Sequence, residues 1–233
     1  MATTIRFDED VAIPTTIQSL SGFRAWATSD AFPDRGRIDY LQGSMEVDMS
    51  PEDLHTHGKV KLAIATVLWT LAETEELGEV YSDRARVSVP AADLSVEPDV
   101  VFASEKSLES GRARLVPRAG GEPDCFVEIE GPVDLIVEIV NDKSVAKDTK
   151  RLPQQYFQAG VTEYWLVDAR REDLKFQIHR RGHSAYEPVP PDPDGYQHSP
   201  VLNRRFRLIR RRNSKGRVTY RLEESPAKHR HDE

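Results

Sequence analysis

The sequence has a single cysteine, Cys125, among 233 residues. One thiol closes no disulfide within the chain and offers no cluster of soft ligands for zinc, so a reducing, cytoplasmic setting is the expectation. No apolar run approaches the ~20 residues of a transmembrane helix, and no membrane partner is expected. Residues Met1 to Asp10 carry three acids and no apolar stretch, so no secretory signal is expected there. A phosphate-binding Walker loop is missing, and with it any sign of a nucleotide energy source. Helix-turn-helix, zinc-finger and single-strand stacking signatures are missing too. Positive charge is not in surplus: 32 Lys and Arg stand against 39 Asp and Glu, a formal net charge of −7. That balance argues against indiscriminate coating of nucleic acid and leaves a small local contact open.

What is present is a globular composition, 38% hydrophobic and 30% charged, with a mean hydropathy of −0.57. The length fits one domain, expected over residues 1–222, followed by a charged, disordered tail at 223–233. No solenoid-type repeat is visible. Ile17, Leu20, Phe23 and Trp26 recur at helical spacing. Ile38 to Leu41, then Gln42-Gly43, then Ser44 to Met49 reads as a hairpin, with Met45, Val47 and Met49 alternating against polar residues.

The clearest helix runs from about Gly58 to Glu75, with Val60, Ile64, Val67, Leu68 and Leu71 on one stripe and Gly78 as its stop. Arg84 to Pro90 and Pro98 to Ala103 read as strands, and Lys106 to Asp124 as a loop. The run Val133 to Val140 is nearly continuous and β-branched, as in a central strand covered on both faces. Leu152 to Ala159 reads as a helix stopped by Gly160, and Val161 to Asp168 and Leu174 to His179 as strands. Pro188 to Pro200 is a loop, with short strands at Phe206 to Ile209 and Val218 to Leu222. The order predicts an α/β fold with a mixed central β-sheet flanked by helices, an N-terminal helix and hairpin, and C-terminal strands.

Two residues stand out chemically. Asp99 and Glu138 are carboxylates inside apolar strands, where an ionised acid is expensive to bury. Two such acids on neighbouring strands can share a divalent cation, and oxygen ligands suit Mg²⁺ or Mn²⁺. The structural alternative is an acid satisfied by backbone amides or by an arginine such as Arg86. Lys143, Lys147, Lys150 and Arg151 follow Glu138. Pro153 fits only the first turn of a helix, so the helix is expected to begin near Thr149 to Leu152 with Lys150 at its mouth and Lys143 and Lys147 solvated. A lysine there could orient a water or neutralise charge on a phosphorane.

Pro98-Asp99-Val100-Val101, Asp134-Leu-Ile-Val-Glu138-Ile-Val, and Tyr156 through Gly160-Val-Thr-Glu163-Tyr164-Trp165-Leu-Val-Asp168 resemble the Uma family of restriction endonuclease-like proteins, within the PD-(D/E)XK nuclease superfamily. Asp39 to Gly43 and Met49-Ser50-Pro51 to His57 resemble its N-terminal part. The resemblance spans about residues 36–180. It implies a restriction-endonuclease-like core and a metal-dependent endonuclease acting on DNA. By position it makes Asp99 and Glu138 the ligands of Mg²⁺ or Mn²⁺ and Lys150 the catalytic lysine, with His57 a substrate contact or helix cap. The sequence departs from the family pattern twice. Asn141 stands where serine is usual. The usual lysine position, four residues before the helix tyrosine, is Leu152; Lys150 lies two residues earlier, roughly 200° away on a continuous helix, so the Pro153 junction must re-aim it.

Other readings remain open. The displaced lysine and acidic surface suit a decayed, binding-only nuclease fold. His55 and His57 form a His-x-His pair that could serve a zinc hydrolase. Arg204, Arg205, Arg207, Arg210, Arg211, Arg212, Lys215 and Arg217 are a dense basic run, either a phosphate-contacting arm or the solvated face of a hairpin. A homodimer is a possible assembly, because enzymes that cut both DNA strands often pair with two-fold symmetry.

Overall fold

The computed structural model describes residues 13–226, apart from residue 123. The expected disordered tail lies outside these from residue 227 onward. Residues 223–226 do not belong to it, since they continue a strand.

The chain begins with α1 (Leu20–Ala27), the hairpin β1 (Arg37–Leu41) and β2 (Ser44–Asp48), a π-helical turn at Leu54–Gly58, and α2 (Lys59–Glu75). Next come β3 (Gly78–Ser82), β4 (Arg86–Val89), β5 (Leu94–Val96), β6 (Val100–Ser104), α3 (Glu105–Glu109), β7 (Arg114–Pro117), β8 (Phe126–Glu130) and β9 (Leu135–Ile139). A second π-helical turn at Lys147–Arg151 leads into α4 (Leu152–Ala159). Six strands follow: β10 (Glu163–Asp168), β11 (Lys175–Arg181), β12 (Tyr186–Pro188), β13 (Gln197–Ser199), β14 (Arg204–Arg212) and β15 (Val218–Pro226).

Three sheets result. The middle one runs β12-β11-β10-β9-β6-β3, and only its β9–β10 pair is parallel. A second runs β2-β1-β5-β4-β8-β7, and a third, of three strands, runs β13-β14-β15. The middle sheet is covered on both faces. Val100, Phe102, Leu135, Val137 and Ile139 pack toward α2 and the three-stranded sheet, through Ile64, Leu68, Phe206 and Leu222. Val101, Ala103 and Ile136 pack the other way, toward Leu152 and Tyr156 of α4 and Val87 and Val96 of the second sheet. This two-sided burial is why β9 reads as an unbroken apolar run. Among the described residues no helix is long and apolar enough to cross a membrane.

Local sequence accounts for much of this. Ser19 caps α1 by accepting the Gly22 amide at 3.2 Å, and Leu20, Phe23 and Trp26 bury its inner face against Ile38 and Tyr40. The two-residue hairpin turn places Gln42 and Gly43 at φ of 47° and 81°, the left-handed pair that a type I′ turn requires. Helix α2 ends at Glu76, in the left-handed region, and not at Gly78. Gly78 serves β3 instead: a Cβ there would stand 2.2 Å from the Ala103 carbonyl oxygen.

Candidate active site

Strands β6 and β9 run antiparallel, with Val100 opposite Val137 and Val101 opposite Ile136. One step further along that register sets Asp99 level with Glu138. Side chains alternate along strands, so Glu138 shares a face with Ile136 and turns toward Tyr156 of α4; Asp99, just before β6, meets Arg37 of β1, His57 of the first π-turn and Lys61 of α2. Asp99 and Glu138 are 1% and 2% exposed. Pro98 ends the regular pairing of β6, and the Asp99 carboxylate takes over where strand partners stop, accepting the Ile139 amide at 2.7 Å.

The surroundings treat the two acids oppositely. Arg37 Nη2 donates to Asp99 Oδ1 at 2.7 Å, His57 Nε2 lies 3.3 Å from Oδ2, and Lys61 Nζ lies 4.0 Å from Oδ1. Burial alone would raise the proton affinity of Asp99, but the His57 hydrogen bond and the charges of Arg37, His57 and Lys61 outweigh it and hold the carboxyl well below its usual range. Glu138 receives one hydrogen bond, from the Tyr156 hydroxyl at 2.5 Å. Burial, with the negative charges of Asp99 and Asp148 behind it, pushes its proton affinity well up, against Arg37 and the Tyr156 bond. Asp148 is also buried, and desolvation, reinforced by Asp99 and opposed by its Ser144 hydrogen bond, raises its pKa to about 6. A pair of buried, interacting but inequivalent carboxylates is a recurrent signature of functional sites.

The structure separates the candidate lysines. Lys150 is exposed and does not face the pair. Asp148, Leu152 and Tyr156 form the buried face of the π-turn and α4, and Lys150 lies on the opposite side. The re-aiming expected at Pro153 does not occur, because the chain is helical on both sides of that residue. Lys147, expected to be solvated, has only 14% of its side chain exposed. Its ammonium pairs with Asp39 and lies 3.7 Å from Glu46. Burial alone would lower its pKa, but Asp39 and Glu138 raise it above the ordinary lysine value. The wide turn explains the exchange: the Leu152 amide bonds to the Lys147 carbonyl, so residue i+5 stacks over residue i. Lys147 thereby stands one π-turn before the leucine that holds the usual lysine position.

The histidine pair also divides. Asp53 caps the first π-turn by accepting the His55 and Thr56 amides. His55 remains exposed, while His57 is buried against Asp99, so the two do not converge on one ion. Burial would lower the His57 pKa, and the hydrogen bond to Asp99 raises it overall. Glu52 and Lys61 complete this side; Glu52 contacts His57 Nδ1 and Lys61 as a charge, without the alignment of a hydrogen bond to the imidazole.

Among the described residues no cluster of three His, Cys, Asp or Glu side chains forms a metal site. The pair nevertheless fits a hard cation. Both groups are oxygen donors at the same end of neighbouring strands, and Glu138 is pressed by two anions while no lysine or arginine bonds to it directly. Mg²⁺ is commonly held by one or two carboxylates and completes its shell with water and substrate oxygen.

The basic run is engaged elsewhere. Arg204 pairs with Glu75, Arg205 with Asp192 at 2.6 Å and Arg207 with Glu223 at 2.6 Å, and Arg210 donates to the carbonyls of residues 169, 171 and 172. Arg204, Arg205 and Arg210 tie the C-terminal hairpin to the body of the protein, and Arg207 pairs within it.

The Uma2 family, described as "Putative restriction endonuclease", matches residues 20–209. The chain belongs to the Uma2 family. Among solved structures it is similar to a crystal structure of a "putative nuclease belonging to DUF820" from Anabaena variabilis, at a TM-score of 0.58 and 15% identity over 79% of this chain and 90% of that one. At that identity the likeness speaks for the fold, a mixed α/β arrangement of sheets flanked by helices. No curated protein matches the sequence.

Proposed function

We propose that this Uma2 chain is an endonuclease that hydrolyses DNA phosphodiester bonds with Mg²⁺ or Mn²⁺ held by Asp99 and Glu138. The observation that carries the reading is the buried pair itself: two carboxylates on adjacent strands, one deeply ionised and one crowded by anions, with Arg37, Lys61 and Lys147 close by. A cation bound there supplies neutralisation of the phosphate and a more acidic bound water. Arg37 and His57 fix the orientation of Asp99, and Tyr156 fixes that of Glu138. Lys147, kept protonated by Asp39 and Glu138, offers the positive charge that a pentavalent phosphorus needs, in the role that the sequence suggested for Lys150. One water is consumed for each P–O bond broken, leaving a phosphate on one end and a hydroxyl on the other.

The family description and the nuclease named for the structural neighbour support this reading. The test is cleavage of plasmid and linear DNA by purified protein with Mg²⁺ or Mn²⁺, abolished in Glu138→Ala. Absence of both metal binding and cleavage across a broad substrate panel overturns it. The ion pair of Arg37 with Asp99 favours a second reading, a nuclease fold that binds without cutting. Calorimetry separates the two, since a decayed site shows no Asp99-dependent Mn²⁺ uptake.

A further inference from the structure

Strand β15 ends the three-stranded sheet, and among the described residues no strand pairs with its outer side. The hairpin that leads into it fixes which backbone groups face outward. The Asn213 amide donates to the Arg217 carbonyl at 2.9 Å. Alternate residues from Arg217 therefore turn their amides and carbonyls toward β14, and Val218, Tyr220, Leu222 and Glu224 turn theirs away, while the Pro226 carbonyl accepts Arg205 Nε at 3.2 Å. Pro226 agrees with this parity, since a residue without an N–H is tolerated on the open side of an edge strand.

We propose that this edge recognises itself: two copies of the chain join antiparallel through residues 218–226, about a two-fold axis at Leu222. The inference stands apart from the nuclease reading and does not depend on it. Three features of the strand carry it. First, the charges are self-complementary. With Leu222 on the axis, Arg221 of each copy faces Glu223 of the other, twice per interface, joining the Arg207 and Arg211 that Glu223 already meets within its own chain; opposite charges directly across an antiparallel pair are stabilising. Sliding the axis to residue 224 would set Glu224 against itself, and sliding it to residue 220 would leave Glu224 and Pro226 without partners.

Second, the ends of the ladder match. At this register Val218 lies opposite Pro226, which has no amide to give to the Val218 carbonyl. That carbonyl is already satisfied within its own chain, by Lys59 Nζ at 2.9 Å. The remaining outward groups, from Tyr220, Leu222 and Glu224, all have partners.

Third, the flank is apolar. A groove of about 1020 Å³ runs between α2 and β15. On the outer side of α2, Leu62 and Trp69 stand one heptad apart at 68% and 54% exposure. A two-fold axis normal to the sheet places both α2 helices on the same face, so edge pairing brings these two flanks toward each other. An isologous contact of this kind closes on itself as a dimer and does not propagate.

The experiment is sedimentation equilibrium of the full chain at micromolar concentration, alongside Arg221→Glu. Arg221 is exposed, so its reversal leaves the fold intact, which circular dichroism checks. The expected result is a wild-type dimer whose dissociation constant rises about tenfold or more in the variant, because two like-charge pairs replace two opposite ones. Cysteine pairing tests the register independently. In a Cys125→Ser background, Thr219→Cys protein mixed with Ser225→Cys protein cross-links under mild oxidation, and Thr219→Cys alone does not. A monomeric wild type, a dimer indifferent to Arg221→Glu, or equal cross-linking of Thr219→Cys with itself overturns the proposal.

Discussion

The Tyr156 hydroxyl reaches from the middle of α4 to Glu138 Oε1 in the middle of β9, at 2.5 Å, with both groups buried. This bond joins the helix after the second π-turn to the central strand and fixes one of the two candidate ligands. Tyr156→Phe removes it without a change of shape. Stability should fall by about 1–3 kcal/mol, the usual range for a hydrogen bond to a charged or buried partner, and cleavage should fall with it. Thermal melts and single-turnover cleavage check the two effects.

Lys147 and Lys150 make opposite predictions. Lys150→Ala alters an exposed side chain and should leave both stability and cleavage near wild type. Lys147→Met should reduce cleavage by roughly 10²–10⁴-fold and leave Asp39 buried without its cation. Breaking a buried pair from one side costs about 3–5 kcal/mol. The double variant Lys147→Met with Asp39→Asn should recover much of the melting temperature and none of the activity. Equal loss of cleavage in the two single variants would return the catalytic role to Lys150.

Glu163 gives the fold a pH dependence away from the site. Burial raises its pKa from 4.5 to about 7, against the hydrogen bonds from Ser199, Trp165 and the Val201 amide. Its folded proton affinity exceeds the unfolded one, so the native state binds more protons between those values. Stability should be greatest below pH 4.5 as far as this group is concerned, and should decline as pH rises toward 7. The full swing is on the order of 3 kcal/mol, from ~1.4 kcal/mol per tenfold change in proton affinity. Glu163→Gln keeps the acceptor and should flatten this part of the stability profile measured by urea unfolding from pH 4 to 8.

Arg86 holds a second buried polar knot. Its guanidinium pairs with Glu97, donates to the Ile38 carbonyl at 3.1 Å, and lies over the rings of Phe23 and Phe32 at 5.1 and 4.8 Å. Burial lowers its pKa despite the neighbouring Glu97, Asp39 and Glu128. Arg86→Ala should destabilise by about 3–5 kcal/mol, because Glu97 is then left charged or must protonate. Chemical denaturation reads this directly.

The parts of the molecule that a reader of the sequence can see are those whose signals are local. The hairpin declares itself by alternation and a Gln-Gly turn, α2 by its apolar stripe, and β9 by an unbroken β-branched run. Asp99 and Glu138 are conspicuous because they interrupt such runs, and the register of β6 on β9 brings them level. Strand β7 is hidden in the stretch that reads as loop and β8 follows directly after it; both are short and carry charges, the exposed Arg114 and the buried Glu128. Glu128 is matched there by Arg24, more than a hundred residues away. Lys147 is hidden for a different reason. Counting at 3.6 residues per turn cannot anticipate a π-turn, and its acidic partner Asp39 comes from the other end of the site. The basic run lies on the β14–β15 hairpin, and its partners are out of reach of a local reading: Arg204, Arg205 and Arg207 meet acids scattered from Glu75 to Glu224, and Arg210 and Arg212 meet backbone carbonyls.

Strand β9 outlasts β6 at the end where the carboxylates lie, and there the Ile139 amide is closed by the side chain of Asp99 where a neighbouring strand would otherwise stand. Occupancy of the site is thereby coupled to the exchange of one backbone proton. A ligand that draws Asp99 away from the strand should open that amide to solvent deuterium, while the amides of Leu135 to Val137 keep their protection. The molecule carries its own reporter, readable by exchange mass spectrometry or NMR without any turnover.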